Sequence, residues 1–153
     1  MDHGSNPYST HLKTMKLIAH RGNLRGSNLE KENNPDYVNE ALQQGCDAEI
    51  DVWYVNGELL LGHDYAQYKI KKSFLQNKKL WCHAKNLAAL EYMINNNIVN
   101  FFWHENDSHT LTSSGYIWTY PNKQVNDKSI IVDLSNEWKN KNYQCYGVCV
   151  DLI

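Results

Sequence analysis

From Met15 onward, short apolar runs alternate with polar stretches, and two periodicities separate the elements. Residues 16–19 are apolar enough for a short buried strand, and 23–34 read as a polar loop containing Gly26. Pro35 suits the first turn of a helix. Tyr37, Val38, Ala41 and Leu42 then recur at helical spacing, and Gly45 marks the stop. A strand is predicted over 46–55. Asn56-Gly57 marks a tight hairpin into a second strand over 58–62. Residues 80–83 form a third core strand. Asn86 caps a helix through Met93 with Leu87, Leu90 and Met93 on one face, and Asn95-Asn96-Asn97 ends it. Beyond it, 99–103, 116–120, 129–134 and 147–152 read as strands. Only about a turn of helix is expected around 110–113, and another around 137–140.

Strands alternating with helices argue for an α/β protein with a parallel sheet. About seven strands suggest a compact, reduced (β/α) TIM-type barrel, because that barrel usually takes ~250 residues and this chain has 153. Several outer helices must then be shortened or missing. A bare outer face needs cover, and the aromatic-rich late strands leave a homodimer open. Residues 1–14 read as a disordered leader or tag, with no role for His3 or His11, and 15–153 as one domain.

Composition narrows the function. A net charge of −2 argues against a general nucleic-acid binder. No apolar run reaches the ~18 residues of a membrane span, and no signal-peptide apolar region is present, so a soluble cytoplasmic protein is expected. Cys46, Cys82, Cys145 and Cys149 form no C-x-x-C pair and read as reduced core thiols. Arg21 and Arg25 are the only arginines. Their position beside a strand end suits anion binding, since arginine forks onto phosphate oxygens as lysine does not.

The candidate chemistry sits at the strand ends. His20-Arg21-Gly22 follows Leu17-Ile18-Ala19. Glu49 and Asp51, two apart on one strand, face the same side. Two carboxylates there are costly unless a cation or strong donors lie between them. Mg²⁺ or Ca²⁺ suits such oxygen ligands, and Mn²⁺ is an alternative. His63 follows Leu59-Leu60-Leu61-Gly62 as a second acid or base, with Asp64 beside it either to orient it or to bind elsewhere in the loop. Two histidines, two carboxylates and an arginine are the inventory for metal-assisted acid/base chemistry on a phosphate ester.

These motifs, with Glu32-Asn33 between the first two, resemble the glycerophosphodiester phosphodiesterase family over residues 16–64. The resemblance implies catalysis by His20 and His63, a metal on Glu49 and Asp51, and phosphate held by Arg21 and Lys85. It implies that Glu32 pairs with Arg21. The substrate would be a small phosphodiester, free or linked to a lipid or glycan. One departure stands out: Trp81-Cys82-His83-Ala84-Lys85 carries His83 where the family has its third acidic ligand. His83 can bind a divalent ion, suiting Zn²⁺ or Mn²⁺ better than Ca²⁺, or it can contact substrate instead. Glu105 could serve as a substitute ligand and Trp118 could stack on a substrate, but core or lid packing is the favoured reading of both. Alternatives are a phospholipase of the sphingomyelinase D or phosphoinositide type, or a non-catalytic barrel that binds a sugar phosphate or phosphoglycan.

Overall fold

A computed structural model describes residues 14–153. The leader expected over 1–14, with His3 and His11, lies outside these apart from its last residue. The chain is mixed α/β, with one curled sheet of ten strands. β1 (Lys16–His20), β2 (Asp47–Val55), β5 (Leu80–Ala84), β6 (Phe101–Phe102), β8 (Ile117–Thr119), β9 (Ser129–Val132) and β10 (Gly147–Val150) run parallel, in the order β8-β9-β10-β1-β2-β5-β6. β3 (Glu58–Leu61), β4 (Tyr68–Ile70) and β7 (His109–Leu111) add antiparallel flanks.

Local chemistry sets each boundary. In α1 (Pro35–Gln43) the Asn34 side chain caps the first turn by accepting from the Asp36 amide, and Val38 and Ala41 bury the inner face. In α3 (Leu87–Asn95) Asn86 accepts from the Ala89 amide. The same side chain bonds the Tyr54 backbone, tying the helix to β2. Asn56 and Gly57 both take positive φ, as a tight hairpin turn requires.

The hairpin matters for function. β5 occupies one edge of β2, and β1 the other edge as far as His20 opposite Glu49. Beyond that point β3 takes over the edge β1 has vacated, with Val52 opposite Leu61. His63 therefore arrives where β1 ends. Gly62 makes the turn at φ +157°, where any Cβ would collide with the Tyr65 carbonyl oxygen.

The two sheet faces bury separate cores. The outer face packs Ala19, Ala48, Ile50, Val52, Cys82 and Ala84 beneath α1 and α3. The inner face holds Ile18, Trp81, Phe102, Trp118, Ile130 and Cys149. Among the described residues, β6 and β8 share no ladder, so the sheet curls without closing by backbone pairing. Its ends meet through a ring stack and a single backbone–backbone hydrogen bond. Phe102 stacks on Trp118 with centroids 4.5 Å apart, and the Ser113 amide donates to the Phe101 carbonyl at 2.8 Å. Such a stack adds about 0.5–1.5 kcal/mol beyond its burial.

Several expectations change. Thr110 and Leu111 belong to strand β7 rather than a helical turn, because they pair with Trp118 and Ile117. The strand expected over 99–103 is reduced to Phe101–Phe102, and α2 (Lys72–Leu75) and β4 were not anticipated. The expected turn near 137–140 is a 3-10 turn, Trp138–Asn140. It helps cover β9 and β10, where Trp138, Cys145, Tyr143, Val125 and Ile153 pack on Ile131, Val148 and Val150. The bare face that motivated a dimer is thus covered there, and Trp118 turns inward.

Asp133 anchors this cover. It accepts from Lys141 Nζ at 2.9 Å, from the Tyr143 hydroxyl at 2.6 Å and from Ser135. Burial pushes its carboxyl up, but those donors outweigh burial and hold it well below the usual range. A carboxyl depressed in the folded state adds stability above its unfolded value of about 3.9, and loses it as pH falls through the folded value. Asp133→Asn should therefore be less stable than wild type at pH 7, with the gap narrowing below about pH 4. Urea unfolding at pH 7 and pH 3 measures this, and an equal gap at both contradicts it.

Candidate active site

The C-terminal ends of β1, β2, β5, β8 and β9 open onto a cleft of about 430 Å³. His20, Arg21, Glu49, Asp51, His63, His83, Lys85, Glu105 and Trp118 all line it. The outlying candidates differ in placement. Trp118, only 4% exposed, lies in the cleft floor, and Tyr120 stands at the rim. Glu105 is exposed and lies outside the buried acid–histidine group. Asp64 is exposed, 3.8 Å from His63 Nε2, so it is a loose neighbour rather than a clamp.

Asp51 is the centre of the site. Its carboxylate lies 3.2 Å from His83 Nδ1, 3.4 Å from His63 Nδ1 and 3.5 Å from Arg21 Nε. Asn33 grips it twice: Asn33 Nδ2 donates to Asp51 Oδ2 at 2.9 Å, and Asn33 Oδ1 accepts from the Asp51 amide at 2.9 Å. Burial would raise the Asp51 carboxyl, but His63, His83 and Arg21 outweigh it and hold it far below the carboxylate range. Its neighbour Glu49 goes the other way. Burial, then the Asp51 charge, push it well up against the pull of Arg21 and Lys85. Glu49 Oε1 is buried and has no hydrogen-bond partner.

Arg21 is equally fixed. Its backbone takes φ +55°, and its Nη1 donates to Glu32 Oε1 at 2.9 Å. Glu32 is held in turn by the Ser27 hydroxyl and the Asn28 amide. Burial works against the Arg21 charge, but Glu49, Asp51 and Glu32 raise its pKa. Arg25, by contrast, pairs with Glu40 at the surface.

The histidines have distinct anchors. His20 Nδ1 donates to Asp151 Oδ1 at 2.7 Å. Burial raises Asp151, but His20, Asn23 and Arg21 together outweigh it and hold the carboxyl below its ordinary value. His83 Nε2 donates to the His104 carbonyl at 2.8 Å. A carbonyl can only accept, so Nε2 carries the proton. His83 also lies flat on Phe102, with rings 7° from parallel.

One donor atom each from Glu49, Asp51 and His83 lies within 4.8 Å of the others, a group that can hold a metal ion. The residues fit one, since an unpartnered buried oxygen faces a second carboxylate and a ring nitrogen. The four cysteines take no part. All are buried, and burial raises the Cys82 and Cys149 thiols, which removes them as nucleophiles.

Three functional neighbours escaped the sequence reading. Asp151 carried a signal only as the end of the last strand, Asn33 only as the partner of Glu32, and His104 only as part of Trp103-His104-Glu105. No protein-family model, curated protein or solved structure matches the chain. Among the described residues, no helix is long and apolar enough to cross a membrane.

Proposed function

We propose that this chain is a metal-dependent phosphodiester hydrolase of the glycerophosphodiester phosphodiesterase type, built on a reduced (β/α) barrel. The observation that carries the reading is the buried, unpartnered Glu49 oxygen beside Asp51 and His83, in a cleft that also gathers His20, His63, Arg21 and Lys85. Glu49, Asp51 and His83 would hold a divalent cation. Bound there, it would polarise the phosphate and lower the pKa of a neighbouring substrate hydroxyl.

Arg21, its guanidinium oriented by Glu32, and Lys85 bind the non-bridging oxygens as charge develops. His20 is the base: with Nδ1–H held by Asp151, its Nε2 takes the proton of the attacking hydroxyl. That oxygen bonds to phosphorus, the ester bond to the leaving alcohol breaks, and His63 supplies the proton the alcohol needs. Attack by a substrate hydroxyl leaves a cyclic phosphate. Water then opens the ring with the two histidines in reversed roles. A second cleft of about 410 Å³ also borders Arg21 and His63. Two clefts meeting at these residues suit a phosphate that carries a substituent on each side.

An assay for alcohol and phosphomonoester released from glycerophosphodiesters tests the reading. Release should need a divalent cation and stop in chelator. Intact diester with every ion tried would contradict it.

A further inference from the structure

We infer that the Glu49–Asp51–His83 centre selects a transition-metal dication, Zn²⁺ before Mn²⁺, over Ca²⁺ and Mg²⁺, and that His83 makes the choice. The inference rests on the metal site of the proposed hydrolase, and it fixes a property the site's carboxylates alone would leave open.

The argument starts from the proton on His83 Nε2. Its bond to the His104 carbonyl leaves Nδ1 turned toward Asp51 Oδ1, 3.2 Å away. Stacking on Phe102, with centroids 5.2 Å apart, fixes the plane of the ring. A histidine that binds metal through one nitrogen and donates the other N–H to a backbone carbonyl is the usual arrangement of metal-site imidazoles. An imidazolium at His83 would answer Asp51, but Glu49 Oε1 would stay buried and unpartnered. A cation shared by all three residues answers both carboxylates and leaves the Nδ1 lone pair in use. Arg21 does not fill that role, because its Nη1 is committed to Glu32 and its Nε has no hydrogen-bond partner.

The donor set then decides the metal. Ca²⁺ takes six to eight oxygen ligands and Mg²⁺ a near-octahedral oxygen shell with several waters. Two carboxylates and one imidazole nitrogen form a softer set than an all-oxygen shell, which suits Zn²⁺ best. Mn²⁺, at the weak end of the transition-metal order, binds less tightly than Zn²⁺ but uses the imidazole nitrogen as Ca²⁺ and Mg²⁺ do not. His104 is a positioning residue here, acting through its carbonyl.

Electron paramagnetic resonance of Mn²⁺ titrated into the purified protein tests this without any substrate. Mn²⁺ should bind at one site, Zn²⁺ should displace it, and Ca²⁺ and Mg²⁺ should compete at least about tenfold more weakly. Pulsed spectra should show ¹⁴N coupling from one imidazole. The coupling should vanish in both His83→Gln and His83→Glu. His83→Glu should narrow or reverse the preference against Ca²⁺, and thermal melts identify a variant that fails to fold. Equal competition by Ca²⁺, or ¹⁴N coupling that survives in a folded His83→Gln, would overturn the inference. Mn²⁺ bound through nitrogen with no diester cleaved would leave it standing and sink the hydrolase reading. Turnover with bound Mn²⁺ and no nitrogen coupling would do the reverse.

Discussion

Asp51→Asn should abolish turnover and also weaken the fold, whereas Glu49→Gln should abolish turnover and leave the fold as stable or more so. The two carboxylates are two residues apart on β2 and face the same cleft, so a purely positional account would treat them alike. Their surroundings differ. Asp51 is 1% exposed and answers Arg21, His63, His83 and the double grip of Asn33. A neutral amide there removes the anion that faces the buried Arg21 guanidinium and disrupts a buried polar network, which costs about 3 kcal/mol or more. Because the folded Asp51 carboxyl lies below its unfolded value, its stabilisation is present above about pH 4 and is lost as pH falls. Glu49 is raised by burial and by Asp51, so without a metal its ionised form costs stability at neutral pH. Glutamine removes that cost and also removes a ligand. Urea unfolding in chelator, alongside activity with metal, separates the two. Losses of activity of at least about a thousandfold are expected for both. Destabilisation of equal size in the two variants would contradict the assignment.

His20→Ala should lower turnover by about 10³-fold or more, and Asp151→Asn by about 10²-fold. The double variant should be no worse than His20→Ala alone. The reason is the 2.7 Å bond between His20 Nδ1 and Asp151: the carboxylate acts on the reaction only through the ring it orients. Asp151 also accepts from Asn23 Nδ2 at 2.9 Å, so melting curves must accompany the kinetics. If the two losses multiplied, Asp151 would have a role independent of His20. If Asp151→Asn kept full activity, His20 would not depend on it.

What the sequence revealed was local. The run into His20, the spacing of Glu49 and Asp51, the Asn56-Gly57 turn and the caps at Asn34 and Asn86 are each written within a few residues. They carry periods or turn chemistry that a single chain displays. The rest depends on distant pairing. Asp151 lies 131 residues from His20, and nothing near either one announces the bond. Asn33 reaches Asp51 only because β2 lies beside β1 and the loop between them folds back. Thr110 and Leu111 carry no strand pattern of their own, and pairing with β8 imposes it. The identity of the atom His83 offers depends on the His104 carbonyl, a backbone group that no side-chain motif encodes. Closure is hidden from the sequence for a related reason. Counting strands says nothing of whether β6 pairs with β8, and here Phe102 stacks on Trp118 across a seam that has no ladder among the described residues.

The measurement that tests the central claim most directly is phosphorus NMR of the protein with glycerophosphodiesters and lysophospholipids, in Mn²⁺, Mg²⁺ or Ca²⁺ and in chelator. The account predicts that the diester resonance gives way to a cyclic phosphate or a monoester, that chelator stops the change, and that His20→Ala and His63→Ala abolish it. Diester spectra that stay unchanged with every ion, or cleavage that continues at full rate in either histidine variant, would contradict it.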